Sequence, residues 1–452
     1  MPRLCGLKRR TEGTLQAVVL RADLYRKIAI LNRSRLCYFK CMDMMDKLSC
    51  EACWQSFLAY KISGGHLAKS EEKRLTEFIE NKEYSAVAEQ LQSGGLFSVP
   101  SAVQVNKQFS GKKRTVFTFS EAENYVQKLL AYLLLDYDGI FCDNLYSFRR
   151  NMGVKKAVTR LVFHSNINEM YSCKLDISDY FNSVNAQKLL PVLMQVLGRE
   201  ERLYHVIEAM LLNPFALIDG EQTTIKKGIL AGSPLSGFLA NLCLNELDRH
   251  FAGQGILYAR YSDDIIFFAE SEETLASHLL FVLDYLRLQG LSVNPHKTER
   301  TSPGEAWTFL GFTYRNGVID ICNASKQKLK KKMRRKARAL VRWQKRKNVL
   351  PERAAAAFIR HFNKKLFDNP VNNELTWSRW YFPIINTADS LAELDAYMQQ
   401  CVRFIVTQKQ TKAQYRFRYE QMKALGYVTL VNRYYRFKEH QYYGVGTTDK
   451  LN

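Results

Sequence analysis

The chain has 452 residues, of which 46% are hydrophobic, and it carries a formal net charge of +22 at pH 7. This length allows two or three packed units, and the excess of positive charge predicts a polyanionic partner such as nucleic acid. No apolar run is long enough to cross a bilayer and the N-terminus lacks a signal-peptide core, so the sequence predicts a cytoplasmic protein with reduced cysteines and no membrane partner.

Residues 1–95 are predicted to form a helical N-terminal extension. Apolar residues recur there at three- and four-residue steps over 15–31 and 35–61. The C-x3-C and C-x2-C spacing that can ligate zinc occurs at Cys37, Cys41, Cys50 and Cys53. The segment between these pairs has no Gly or Pro turn and is predicted to be continuous helix, so buried structural cysteines are the alternative.

Acidic residues follow two predicted strands in the next part of the chain. Residues 170–177 are predicted to form a strand with Asp176 near its end, and two further apolar runs flank a turn that contains Asp263 and Asp264. Because successive side chains of a strand face opposite ways, only a turn lets neighbouring acids reach one point. Packing like charges is costly unless a cation lies between them, and carboxylate oxygens suit Mg²⁺. Two-metal phosphoryl transfer needs carboxylates from separate strands, which this set supplies.

Residues 322–452 are rich in cations and aromatic residues. The segment 326–347 is intensely basic but keeps an apolar helical stripe, so a helix is expected to dock on the protein while its cations contact phosphates. The cations assigned to this contact are Lys330, Arg334, Arg335, Arg338 and Arg342. In the last stretch aromatic residues and cations are interleaved, which predicts either contact with single-stranded RNA or a half-buried strand. The residues assigned to RNA contact are Tyr415, Arg418, Arg433, Tyr434 and Arg436.

A series of motifs resembles palm motifs A, B and C of reverse transcriptases, in the same order. They read Asp176-Ile-Ser-Asp179-Tyr-Phe181, Gly228-Ile-Leu-Ala-Gly232-Ser-Pro-Leu-Ser236-Gly-Phe-Leu-Ala-Asn241 and Tyr261-Ser-Asp-Asp264. A segment similar to motif D reads Gly290-Leu-Ser-Val-Asn294-Pro-His-Lys297-Thr298, and one similar to the primer grip reads Phe309-Leu-Gly-Phe312. The fingers motifs are resembled by Gly111-Lys-Lys-Arg114 and by Val126-Gln127. The junction of fingers and palm is resembled by Asp143-Asn-Leu-Tyr146-Ser-Phe-Arg149. The similarity covers roughly residues 97–321. It is closest to the bacterial branch that includes group II intron enzymes, retrons and defence-associated reverse transcriptases.

The resemblance implies an α+β right-hand polymerase that uses dNTPs and two Mg²⁺ ions, with Mn²⁺ able to substitute. Fingers and palm are expected over 96–321, and a basic helical thumb with an aromatic C-terminal region over 322–452. The metal ligands that it implies are Asp176, Asp263, Asp264 and Ile177, and the general acid is Lys297. The nucleotide-binding residues are Lys112, Arg114, Asp179, Tyr180, Phe181 and Gly232, with Phe181 as the steric gate against ribonucleotides. Arg149 is assigned to nucleic-acid binding.

Motif B departs from the family pattern. The related enzymes usually have Pro-Gln-Gly where this chain has Leu230-Ala231-Gly232. Ala231 lacks the amide that would steady the template or nucleotide, whereas Gly232 still permits close approach of the backbone to the nascent base pair. This departure favours the defence-associated groups over the intron enzymes.

The expected function is synthesis of cDNA from a dedicated structured noncoding RNA in antiphage defence. The alternatives are an untemplated or protein-primed DNA polymerase of the abortive-infection type, a retron-type reverse transcriptase, and a catalytically idle RNA-binding scaffold. The complete set of three acids argues against the scaffold, which has no need to keep like charges together. The sequence leaves the oligomeric state open, including a homo-oligomer.

Overall fold

The computed structural model describes residues 42–64, 67–106, 113–226, 228–368, 373–409 and 411–444. The N-terminal part is helical, with a 3₁₀ turn followed by three helices, at Asp46–Ser49, α1 Glu51–Ser63, α2 Lys69–Glu80 and α3 Ser85–Gln92. The prediction that the segment between the cysteine pairs is continuous helix is wrong, because its residues 42–45 form a turn before the 3₁₀ helix and Cys50 is extended (φ −85°, ψ 108°) ahead of α1. Trp54 anchors this part by stacking on Tyr84 at a ring distance of 4.6 Å.

The fingers consist of a sheet and the helices around it. The sheet has the strand order β2-β1-β4-β5, with bounds β1 Ser101–Asn106, β2 Lys113–Thr118, β4 Phe215–Ile218 and β5 Glu221–Thr224. The neighbouring helices are α4 Glu121–Leu133, a 3₁₀ helix Leu134–Ile140, and α5 Val154–Val162. Ser120 begins α4 with a capping box that it shares with Glu123, which fixes where the helix starts.

The palm is an antiparallel sheet in the order β6-β7-β3-β8. Its strands are β3 Tyr171–Asp176, β6 Tyr258–Tyr261, β7 Asp264–Ala269 and β8 Glu299–Thr301. The helices of this region are α6 Tyr180–Ser183, α7 Ala186–Leu197, α8 Glu201–Leu212, α9 Ser236–Cys243, α10 Asn245–Gly253 and α11 Glu272–Leu288, with 3₁₀ helices at Ile167–Glu169 and Pro295–Lys297. The strands predicted around the acids are therefore present.

A small sheet follows the palm sheet and leads into the helices of the predicted thumb. The sheet is β11-β10-β9, with bounds β9 Trp307–Phe309, β10 Phe312–Arg315 and β11 Val318–Ile321. The helices are α12 Asn323–Lys347, α13 Pro351–Leu366, α14 Trp377–Tyr381, α15 Asp389–Thr407, a 3₁₀ helix Lys412–Arg416, α16 Tyr419–Ala424 and α17 Leu430–Gly444. The strand alternative for the aromatic C-terminal stretch is wrong, because this stretch is helical. No helix in the described ranges has the length and apolar character needed to cross a membrane.

The buried apolar residues form two large clusters and a smaller one. The first joins the N-terminal helices, the fingers and the palm, and includes Trp54, Leu130 and Leu175. The second lies among the thumb helices but also takes in Val154 and Val158 of α5. The predicted fold class, an α+β right-hand polymerase, is confirmed, whereas the domain boundaries at 95 and 321 remain predictions.

Candidate active site

The end of the palm hairpin brings three carboxylates together. Asp176 is the last residue of β3 and pairs in register with Asp264, the first residue of β7. Residues directly opposite in an antiparallel pair share a face of the sheet with their Cβ atoms about 5 Å apart. Asp263 lies in the turn between β6 and β7, where Ser262 takes a left-handed conformation (φ 60°). The predicted hairpin with acids at its turn is present.

The charges of these acids are poorly compensated by the protein. Burial, then the charges of Asp263 and Asp176, raises the pKa of the Asp264 carboxyl from 3.8 to about 7. The pKa of Asp263 is also raised, mainly by burial, with a further contribution from Asp176. Such a site has an excess of negative charge that a bound cation would neutralise.

Lys297 is a cation that reaches this cluster directly. It lies in the Pro295–Lys297 turn, and its Nζ donates a hydrogen bond to Asp176 Oδ1 over 2.7 Å. The turn is held by the backbone N–H of Asn294, which donates to the carbonyl of Asp176 over 2.8 Å. The lysine predicted as general acid is therefore within reach of the carboxylates.

The donor set fits Mg²⁺ in its chemistry. Carboxylate oxygens from two strands and a turn are the hard ligands that Mg²⁺ takes. Within the described part of the chain, no group of three or more His, Cys, Asp or Glu side chains is arranged so that it could hold a metal ion without some movement. With Lys297 paired to Asp176, the ammonium supplies part of the positive charge that the acids require.

A fully buried ion pair between Arg260 and Asp248 supports the β6–β7 hairpin. Arg260, on β6, donates from Nε to Asp248 Oδ1 over 2.8 Å and from Nη2 to Asp248 Oδ2 over 2.5 Å. Tyr258 donates its hydroxyl to the same Asp248 Oδ1 over 2.9 Å. The guanidinium also reaches the carbonyl oxygens of Asn241 and Ser262, over 3.1 and 3.4 Å. The pair thus links α9 and α10 to the turn that carries Asp263.

A second network fixes the same turn. The backbone N–H of Ser262 donates to Ser147 Oγ over 2.9 Å, and Ser147 Oγ donates to Asn241 Oδ1 over 3.1 Å. Asn241 Nδ2 in turn donates to the carbonyl of Ser147 over 2.8 Å. The sequence interpretation did not assign roles to these positioning residues. A usable signal was present, because Arg260 lies within an otherwise apolar strand and a buried arginine needs an acidic partner.

Comparison with known proteins agrees with this geometry. Residues 105–314 match the family described as reverse transcriptase (RNA-dependent DNA polymerase). These residues form a reverse transcriptase domain. The retron Ec86 reverse transcriptase of Escherichia coli is 26% identical over 142 residues, which are 30% of this chain and 40% of that protein. The aligned segment therefore spans less than half of the curated relative.

Solved structures similar to this chain include telomerases from Candida tropicalis. The apo telomerase shares 11% sequence identity over 76% of this chain and 73% of its own, with a TM-score of 0.41. The apo form truncated from its C-terminal domain shares 13% identity over 50% of this chain and 55% of its own, with a TM-score of 0.39.

The motif A residues of the reverse transcriptase domain lie beside the acids. Asp179 is exposed in a left-handed conformation (φ 45°) that begins α6, and Tyr180 is buried with its hydroxyl donating to the carbonyl of Ala240 over 2.6 Å. The ring of Phe181 is half-buried and packs edge-to-face on Phe148 at a centroid distance of 6.3 Å. Ile177 donates its backbone N–H to the carbonyl of Asp263 over 3.1 Å.

The motif B glycines let two backbone segments touch. Gly232 has φ 110°, and a Cβ atom there would lie 2.5 Å from Val116 Cγ1 and 2.8 Å from the carbonyl of Phe117. This close approach is to strand β2 of the fingers, so Gly232 has an intramolecular role besides the predicted contact with a base pair. Arg114, also on β2, is exposed, and Lys112 lies outside the described residues.

Gly228 holds motif B against motif A, and we expect Gly228→Ala to be strongly destabilising. A Cβ atom at Gly228 (φ 55°) would lie 2.1 Å from the carbonyl oxygen of Phe181, which accepts a hydrogen bond from Ile229. The left-handed conformation and the clash together are expected to lower the free energy of unfolding by about 3 kcal/mol. The control is Gly255→Ala, where φ is 68° but nothing lies within 4 Å, with an expected loss of about 1 kcal/mol. Urea denaturation checks this, and equal losses would contradict the clash.

Several residues predicted to bind nucleic acid are occupied by the protein itself. Arg149 is nearly buried, pairs with Asp138 over 2.8 Å and donates to the carbonyl of Leu145 over 3.1 Å, so its role is to brace the fingers–palm junction. Lys330 pairs with Glu393 over 2.5 Å. Tyr434 is buried in the thumb core and donates to the carbonyl of Ile385 over 2.9 Å, which leaves its ring no surface for a base. The burial of the Arg149 and Tyr434 side chains contradicts their assignment to nucleic-acid contact, whereas the assignment of Lys330 stays a prediction.

The other predicted contacts lie on the surface of the thumb. The residues at this surface are Arg334, Arg335, Arg338, Arg342, Tyr415, Arg418, Arg433 and Arg436. Arg433 lies over the ring of Phe367 at 5.5 Å, and Arg403 lies over the ring of Tyr415 at 5.0 Å. Their contact with nucleic acid remains a prediction.

The structure favours a structural role for the cysteines that it describes. Cys53 is buried in α1, and burial, with a smaller effect of Cys50, raises the pKa of its thiol to about 12. A zinc ligand must be deprotonated, which this environment disfavours. Cys37 and Cys41 lie outside the described residues.

Proposed function

We propose that the chain is an RNA-directed DNA polymerase that copies a dedicated structured noncoding RNA into DNA in antiphage defence. The observation that supports this most strongly is the convergence of Asp176, Asp263 and Asp264 at one end of the palm hairpin, within the segment that matches the reverse transcriptase family. The net charge of +22 suits an RNA template and a DNA product.

Asp176, Asp263 and Asp264 would hold the two Mg²⁺ ions, and the backbone at Ile177 lies beside them. Ions bound there would lower the pKa of a primer 3′-hydroxyl and would stabilise charge on the transferring phosphoryl group. The hydroxyl gives up its proton to solvent, and its oxygen forms a bond to the α-phosphorus while the bond from that phosphorus to the pyrophosphate oxygen breaks. Lys297, whose ammonium reaches this site, donates a proton to the leaving pyrophosphate.

Phe181 is proposed to exclude ribonucleotides. Its ring packs against Phe148 and against Tyr180, and the centroids of the Tyr180 and Phe181 rings lie 5.7 Å apart. These contacts restrict movement of the ring away from a 2′-hydroxyl. Phe181→Ala is expected to reduce the preference for dNTPs over rNTPs by at least about tenfold, which corresponds to about 1.4 kcal/mol. Single-nucleotide incorporation measures this preference, with Phe163→Ala, an exposed phenylalanine, as the control. Unchanged discrimination in Phe181→Ala would refute the gate.

The proposed template is tested by purifying the chain from its host and sequencing the bound RNA and DNA. One abundant RNA with complementary DNA in the active protein, and no such DNA in the Asp263→Ala, Asp264→Ala variant, is expected. DNA without a matching RNA, especially DNA linked to a protein hydroxyl, would instead indicate an untemplated or protein-primed polymerase. If the double variant kept full biological activity, the chain would be an RNA-binding scaffold.

A retron-type reverse transcriptase is the second candidate, because the curated relative carries that name. A branched RNA–DNA product in the same purification would identify it. The location in the cytoplasm and a homo-oligomeric state stay predictions.

A further inference from the structure

A basic groove lies on the thumb, formed between α12, α13 and the segment 374–381. We call it the thumb groove, and its volume is about 980 Å³. The cations that line it are Lys332, Lys336, Arg360, Lys364 and Lys365. Among the described residues that line it, Glu374 is the one carboxylate, and it lies 3.4 Å from Lys364. The groove therefore has a strong excess of positive charge.

The cations are close enough to affect one another. Burial, then the charges of Lys365, Arg335 and Lys328, lowers the pKa of Lys332. The pKa of His361, which also lines the groove, is lowered by burial and by Lys365 and Lys336. Like charges held together on half-buried side chains oppose folding unless an anion binds among them.

Aromatic rings form the rest of the wall. Trp377 and Trp380 are half-buried and line the groove beside Tyr381, and the Trp377 and Tyr381 rings lie 4.4 Å apart. Indole rings next to cations are the arrangement with which proteins stack unpaired bases while holding their phosphates.

The size and lining of the groove favour a single strand over a duplex. Its volume is at the upper end of the range of about 300–1,000 Å³ that encloses a drug-sized ligand, so it fits a few nucleotides. A duplex presents phosphates but hides its base faces, and its major groove alone is about 12 Å wide. The two indoles would then have no partner.

Tyr381, which lines the groove, also contacts the small sheet that precedes the thumb helices. Tyr381 packs on Phe312 at a ring distance of 5.1 Å, and its hydroxyl would lie 3.1 Å from a Cβ atom placed on Gly311. The segment Phe309–Phe312 is the one that resembles a primer grip. A strand held in the groove is thus connected through packed side chains to the sheet that follows the catalytic hairpin.

We propose that the thumb groove is a binding site for single-stranded nucleic acid, separate from the acids at the hairpin turn, which holds the phosphates through Lys336 and Lys365 and stacks a base on Trp380. This binding needs neither metal nor DNA synthesis. It goes beyond the proposed polymerase activity and can be tested apart from it.

The test measures binding of a fluorescein-labelled twelve-nucleotide oligothymidylate to the full chain in EDTA without dNTPs. The Lys336→Gln, Lys365→Gln variant is expected to bind at least about fivefold more weakly, and the slope of log affinity against log salt should fall by about 1.4, or about 0.7 for each phosphate that the variant no longer neutralises. The control variant, Lys345→Gln, Lys347→Gln, removes the same amount of charge from the exposed C-terminal end of α12. It should change the affinity for the oligonucleotide less than about twofold. Equal losses in the two variants, or none, would overturn the proposal.

Two further readouts separate the groove from general charge. Unlabelled oligonucleotide should quench tryptophan fluorescence, and Trp380→Phe should lose most of this quenching whereas Trp343→Phe should keep it. A blunt-ended duplex should bind the Lys336→Gln, Lys365→Gln variant and the Lys345→Gln, Lys347→Gln variant with equal affinity. Quenching that persists in Trp380→Phe, or a duplex weakened as much as the single strand, would overturn the site. The Asp263→Ala, Asp264→Ala variant should bind the oligonucleotide normally, so a failure of the polymerase proposal leaves this result unaffected.

Discussion

Replacing Asp264 with asparagine is expected to abolish DNA synthesis and, at the same time, to stabilise the metal-free protein. Activity should fall at least about 100-fold, because a ligand that stabilises the transferring phosphoryl group contributes about 3 kcal/mol or more. Stability should rise because the folded protein raises the pKa of Asp264 from 3.8 to about 7, so its ionised form opposes folding.

The pH dependence of that stabilisation follows from the direction of the shift. A carboxyl whose pKa is higher in the folded state favours folding below its unfolded pKa, and this contribution is lost as pH rises toward 7. The gain in Asp264→Asn should therefore grow between pH 5 and 7 and level off by pH 8. We expect about 2 kcal/mol there, with about 4 kcal/mol as the upper limit, at about 1.4 kcal/mol for each pKa unit.

Urea denaturation in EDTA at several pH values measures this effect. Asp284→Asn, which removes an exposed carboxylate paired with Arg287 over 3.0 Å, should change stability by less than about 0.5 kcal/mol at all of them. Adding Mg²⁺ should narrow the difference between Asp264→Asn and the unmodified protein, because the unmodified site binds the ion in its folded state. If Asp264→Asn had unchanged stability in EDTA at pH 8, the crowding of the acids would be refuted.

Asp248→Asn is expected to be the most destabilising of these substitutions. It leaves the fully buried guanidinium of Arg260 without a counter-charge, and breaking one partner of a buried ion pair costs about 3–5 kcal/mol. Because Arg260 also holds the carbonyl groups of Asn241 and Ser262, DNA synthesis should decrease even at temperatures where the variant stays folded.

A matched control lies on the same helix. Glu246 pairs with Arg249 over 2.9 Å at the surface, and Glu246→Gln should cost less than about 1 kcal/mol. The double variant Asp248→Leu, Arg260→Met should lose less stability than Asp248→Asn, since it leaves no buried charge unpaired. Similar losses for Asp248→Asn and Glu246→Gln would show that the buried pair does not support the hairpin.

The sequence predicted the hairpin and its acids because their signals are local. Apolar strand residues on both sides of Ser262-Asp263 determine the turn, which places Tyr261 opposite Asp264. The pairing of Asp176 with Asp264 joins strands that are distant in the chain, and it was expected from the order of the motifs. The fold class followed from the ordered motifs. The pairing of individual polar side chains was not predictable in this way, since Asp248 approaches Arg260 only when α10 packs against the palm sheet.

Composition gave wrong predictions of nucleic-acid contact where one residue type has two roles. Arg149 and Tyr434 belong to basic and aromatic stretches that suggest RNA, yet both are buried and donate to backbone carbonyls. A cation or phenol satisfied inside the protein looks the same in a sequence as one left for a ligand. In the C-terminal stretch, the alternation of aromatic residues and cations hid a helix with one apolar face toward the thumb core.

The second core cluster has a consequence for how the protein is made. Val154 and Val158 lie on α5, ahead of the catalytic strands in the chain, yet they belong to the same buried cluster as thumb residues such as Ile359 and Leu394. During synthesis on the ribosome this cluster is complete only after the last helices emerge, so the early part of the chain cannot finish packing by itself. A translation product that stops near residue 321 would be an incompletely folded, aggregation-prone fragment and not a smaller enzyme.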